Sequence, residues 1–147
     1  MKKKLFLITI AMVFLIFSSC AYAGWFDSKI KVGDTDFKLP DGYHEGKMNK
    51  FGAVNITNGT NSIFLFEQDD ANIQKYINNY KKEIQKQNQS MTIKNFTIDN
   101  IVIYKTNNNN NPNTIHYWFV KNNKTYDVYT WDGNKDMDSI VINLIKS

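Results

Sequence analysis

Two runs near the C-terminus, Ile115-His116-Tyr117-Trp118-Phe119-Val120 and Thr125 to Trp131, consist almost entirely of β-branched and aromatic residues, with Asn122-Asn123 between them. Such residues favour the pleated strand, and asparagine suits a tight turn because it tolerates positive φ. Successive strand residues point to opposite faces, which puts Ile115, Tyr117 and Phe119 on one side and Trp118 and Val120 on the other. Both faces are apolar, so both must be covered. A sheet with a helix on each face meets that requirement.

The rest of the chain supplies the parts. Phe37 and Leu39 alternate in a short strand that Pro40-Asp41-Gly42 ends in a turn. Residues 44–50 read as polar loop. Val54 and Ile56, then Ile63-Phe64-Leu65-Phe66, flank Asn58-Gly59, a hairpin pattern. Ile73, Tyr76, Ile77, Tyr80 and Ile84 recur every three or four residues, predicting an amphipathic helix from Ala71 to about Gln87, with Asp69 and Asp70 as capping residues. Phe96–Tyr104, bent at Asp99-Asn100, precedes the two C-terminal runs as the first strand of a three-strand antiparallel meander, and Asn107 to Pro112 reads as loop. Met137, Ile140, Val141, Leu144 and Ile145 form a second helical stripe. The expected fold class is α+β: an antiparallel sheet of about six strands, with a mid-chain and a C-terminal helix packed on its faces.

The N-terminus is of another kind. Lys2-Lys3-Lys4, the apolar run Leu5–Phe17 and the small residues Ala21 and Ala23 are the three parts of a secretory signal peptide. Two other fates fit the same residues. Cys20, preceded by Ser18-Ser19, is a candidate lipidation site, and the segment read uncut would be a membrane anchor. The organisation expected is therefore a signal peptide at 1–23, a short linker at 24–34 and a single α+β domain at 35–147. The expected location is extracytoplasmic, secreted or attached to the cell surface, with membrane contact only through the N-terminal segment.

Composition removes several function classes. Of 18 basic and 14 acidic residues, three basic ones lie in 1–23, leaving a domain of net charge +1, which gives no support to nucleic-acid binding. All 18 basic residues are lysine, so no guanidinium fork is present to clamp phosphate or carboxylate. Cys20 is the only cysteine, so the domain has no disulfide, thiol nucleophile or thiolate metal site. No cofactor is expected.

Candidate chemistry is sparse. A catalytic triad needs nucleophile, base and orienting group. The only histidines are His44, beside Glu45 in the polar loop, and His116 in mid-strand. Their structural alternatives are a solvated loop residue and a sheet-face residue. Asp132, Asn134, Asp136 and Asp138 alternate like the start of a calcium loop, but Met137 and Asn143 stand where glycine and a bidentate glutamate belong. A turn followed by acidic residues at a helix N-terminus explains them as well. Tyr117, Trp118, Tyr129 and Trp131 are a candidate ligand platform, or simply core. Asn55, Asn58, Asn88, Asn95 and Asn123 head Asn-x-Ser/Thr sequons and are candidate glycosylation sites.

The segment Phe37-Lys38-Leu39-Pro40-Asp41-Gly42-Tyr43, followed by a mid-chain helix, a meander and a last helix, resembles the PsbP-like family. The resemblance covers most of residues 35–147 and implies a helix-on-sheet sandwich that binds or assists other proteins without catalysis. Together these readings predict a non-enzymatic binding or accessory domain whose partner is an envelope protein or surface polymer. The alternatives are a carboxylate-dependent envelope hydrolase using a pair from Glu67, Asp69 and Asp70, and a purely structural surface protein.

Overall fold

The computed structural model describes residues 28–146; the predicted signal peptide, Cys20 and the first residues of the expected linker lie outside them. Eleven elements follow in the order β1 (Lys29–Val32), β2 (Thr35–Lys38), β3 (His44–Glu45), β4 (Val54–Thr57), β5 (Ser62–Glu67), α1 (Ile73–Lys86), β6 (Met91–Ile98), β7 (Ile101–Asn108), β8 (Ile115–Lys121), β9 (Lys124–Thr130) and α2 (Met137–Ile145). Seven strands form one sheet in the order β3-β4-β5-β9-β8-β7-β6, and β1 with β2 forms a separate hairpin. Every pairing is antiparallel. The fold is the α+β arrangement that the two-faced apolar strands require.

Three local expectations change. Lys29–Val32 is not linker: Ile30 and Val32 are buried and the strand pairs with β2, so the folded domain starts before residue 35. Two apolar positions between lysines gave too short an alternation to stand out. Asp99-Asn100 is a reversal rather than a bend, with φ of +48° and +66°. That two-residue turn makes a hairpin of Met91–Ile98 and Ile101–Asn108, so the meander has four strands. The N-cap of α1 is Asn72, whose side chain accepts from the Lys75 N–H, while Asp70 accepts from the Asn72 N–H one step earlier.

The two faces differ in how they are covered. On one, α2 and the β1–β2 hairpin close over Ile56, Ile63, Leu65, Tyr117, Phe119, Tyr126 and Val128 to form the main core. Phe37 meets Phe119 and Tyr126 edge-on, with centroids 6.2 and 5.0 Å away. The Tyr126 hydroxyl ties the hairpin down: it donates to Glu67 Oε2 at 2.6 Å and lies 2.7 Å from Thr35 Oγ1, which itself accepts from Asn122. On the other face α1 carries the chain from β5 to the far edge of the sheet, and Tyr76 and Ile77 cover Trp118 in a smaller cluster. One helix cannot roof seven strands, and part of this face stays open.

Candidate functional site

The open part is a cavity of about 560 Å³ between the second half of α1 and the loop before β4. That volume lies within the roughly 300–1,000 Å³ of small-ligand sites. Its floor is sheet: His116, Asp127 and Tyr129. Tyr80 and Ile84 of α1 wall one side, with Phe51, Phe66 and Trp131 opposite. Ala53 and the neutral polar groups of Gln87, Gln89, Asn108, Asn111 and Thr114 complete the lining.

The register of the β8–β9 hairpin builds the floor. Asn122 and Asn123, at φ +50° and +61°, set His116 opposite Tyr129 and Trp118 opposite Asp127. His116 and Asp127 are therefore diagonal neighbours on one face, and His116 Nδ1 lies 2.9 Å from each carboxylate oxygen. A single Nδ1–H shared between the two acceptor oxygens fits that symmetry and leaves Nε2 as the ring's remaining polar atom. Among the described residues Nε2 has no hydrogen-bond partner. Burial raises the Asp127 pKa, and the His116 contact opposes the rise. The imidazole stacks between Trp118 and Tyr129, at 5.6 and 4.9 Å, with Tyr80 at 4.3 Å. Burial, with a smaller contribution from the Asp127 charge, pushes the Tyr80 hydroxyl up to about 12, and burial also raises Tyr129.

The rim is aromatic and open. Trp131 is 52% exposed and Phe51 68%. Trp131 is held against Phe64 and Tyr129 at 4.8 and 5.3 Å. Asn49 fixes the loop that carries Phe51: its Oδ1 accepts from the N–H groups of Phe51 and Ala53, and its Nδ2 donates to the Tyr129 hydroxyl at 3.1 Å.

The sequence-based candidates are placed as follows. Of the aromatic platform, Tyr129 and Trp131 line the cavity, whereas Trp118 is buried under α1 and Tyr117 lies in the core of the opposite face. Adjacent strand residues cannot share a face, so the four do not form one surface. The calcium candidates are engaged separately. Asp132 accepts from the Ser62 N–H and the Thr130 hydroxyl, and Asn134 joins Tyr43 to the Asp136 N–H. Asp138 takes Lys105 and the Tyr117 hydroxyl. Among the described residues no three His, Cys, Asp or Glu side chains converge as metal ligands. Glu67, Asp69 and Asp70 are absent from the cavity lining; Glu67 accepts from Tyr126 on the other face and Asp70 pairs with Lys75. His44 is exposed in β3. Asn58, Asn88, Asn95 and Asn123 are exposed, while Asn55 is half-buried with its Oδ1 unpaired.

The residues that sequence reasoning missed are Asp127 and the carboxamides. Counting outward from Asn122-Asn123 would have put Asp127 beside His116. Nothing in the sequence ties Gln87 and Gln89, just beyond α1, to Asn111 in the β7–β8 loop. Compared with known proteins, the chain matches no family model, and no curated protein is similar enough to count as a relative.

Proposed function

We propose that this is a non-enzymatic, extracytoplasmic binding or accessory domain that holds its ligand in the cavity beside α1. The observation that carries the reading is the cavity itself: an aromatic and carboxamide-lined hollow on the less covered face of the sheet, with a firmly held aromatic rim. His116 and Asp127, joined to each other, are the ionisable pair of the lining apart from the tyrosines. Their arrangement suits a fixed polar group at the cavity floor. The outside location rests on the N-terminal Lys2–Ala23 pattern. Kinship with the PsbP-like family belongs to the same proposal, supported by Phe37–Tyr43 and the order of elements.

The test is capture from an envelope extract of the producing cell, followed by mass spectrometry, with wild type and a Phe51→Ala/Trp131→Ala variant run in parallel. Both residues are more than half exposed, and a circular-dichroism spectrum and melting temperature matched to wild type establish that the variant is folded. A specific component held by wild type and lost by the variant supports the reading. Capture that the variant leaves unchanged removes the ligand from the cavity, and no capture at all removes the binding function.

A further inference from the structure

We infer that the cavity is a site for a neutral saccharide, a hydroxyl-rich ring without ionised substituents; this rests on the binding function proposed above. Three observations converge on that class.

The first is charge. Among the described residues the only ionisable side chains lining the cavity, apart from the tyrosines, are His116 and Asp127, and they are joined to each other. No lysine reaches the lining, so an anionic ligand would lose its water without gaining a counter-charge. A cation finds no free carboxylate either, because Asp127 is 6% exposed and both its oxygens face His116, which leaves only ring faces to attract it.

The second is the kind of polar group. A sugar hydroxyl both donates and accepts, and a neutral carboxamide offers both complements. Asn108 Nδ2 donates to Gln89 Oε1 at 2.7 Å, and Asn108 Oδ1 accepts from the N–H groups of Asn110 and Asn111. That network fixes Gln89 by its oxygen and leaves its amide group as a donor. The Gln87 and Asn111 side chains have no hydrogen-bond partner among the described residues, and His116 Nε2 adds a further polar atom on the floor. Donors and acceptors thus surround the cavity in a mixed set.

The third is the aromatic geometry. The C–H face of a pyranose packs on one aromatic ring, whereas a flat nucleobase gains most in a slot between parallel rings. Of the lining rings, Trp131 is tilted by 52° to Tyr129 and Tyr80 by 42° to His116. His116 and Tyr129 are near-parallel at 18° but stacked against each other at 4.9 Å, which leaves no slot between them. Those rings offer single faces at different angles, which suits a puckered ring.

The experiment is an NMR titration of the isotope-labelled protein, expressed from the full-length chain. The neutral probes are D-glucose, N-acetyl-D-glucosamine, cellobiose and chitobiose, and the comparison probes are D-glucuronate, adenosine and choline. The expected result is saturable shifts of the Trp131 indole N–H and the Gln87, Gln89 and Asn111 side-chain amides with at least one neutral sugar. Trp131→Ala should weaken that binding about tenfold while leaving the rest of the spectrum in place. Glucuronate binding as tightly as glucose, or adenosine or choline shifting these resonances when no neutral sugar does, overturns the saccharide assignment. So does silence from every neutral sugar. If rim-dependent capture from the envelope extract still holds, only the ligand class falls; if that fails too, the binding function falls with it.

Discussion

His116 and Asp127, eleven residues apart in the chain, meet at 2.9 Å on one face of adjacent strands, with the imidazole Nδ1 equidistant from both carboxylate oxygens. Burial alone would make an ionised carboxylate at this position costly; the histidine offsets part of that cost and aims its other nitrogen away from the pair. The contact joins the stability of the sheet to the chemistry of the cavity.

Replacing the partner should expose that cost. In His116→Phe the ring stacking is kept but Asp127 loses its donor. A carboxyl whose folded pKa is raised contributes stability that is present at low pH and lost as pH rises through the folded value. The variant should therefore be destabilised by about 3 kcal/mol at neutral pH and by clearly less in acid. Urea unfolding across pH measures this, and a penalty that does not grow with pH would contradict the pairing.

Asp138 runs the opposite way. Partial burial raises its pKa, but hydrogen bonds from Lys105 and the Tyr117 hydroxyl outweigh this, and the net shift is down. Its stabilisation is present above the ordinary carboxylate range and lost as pH falls through the lowered value. Asp138→Asn should cost about 1 kcal/mol at neutral pH, a modest figure because the carboxylate is largely exposed and screened. Wild-type and variant stabilities should converge in acid, as read from thermal melts at several pH values.

The β8–β9 turn sets the register of the floor, and Asn123 holds it at φ +61°. A β-branched residue is strained there, so Asn123→Val should lose about 1–2 kcal/mol. Asn123→Gly should stay within about 0.5 kcal/mol of wild type. Equal stabilities for the two variants, measured by denaturant titration, would show that the left-handed turn does not control the hairpin.

Much of the fold is legible in the residues because it is local. Asn122-Asn123 between two apolar runs specifies a hairpin, and the three-to-four spacing from Ile73 to Ile84 specifies a helix that needs a sheet to lie on. Lys29–Val32 does not stand out because its alternation is brief, and Asp99-Asn100 reads equally as a bend because a single turn dipeptide does not say how far the chain reverses. The platform of Tyr117, Trp118, Tyr129 and Trp131 mixed residues from both sides of the sheet, an error that the two-residue period was enough to prevent.

The sequence by itself determined the class of fold, the two helices, the hairpin that carries His116 and Asp127, and the absence of arginine and of any cysteine beyond Cys20. Only the tertiary structure decided that β5 pairs with β9, that α1 crosses the open face and stops short of covering it, and that residues from five separate segments enclose one cavity. The physical reason is range. Periodicity and turn chemistry act over a few residues, while a cavity is space left between elements whose relative placement is set by burial across the whole chain.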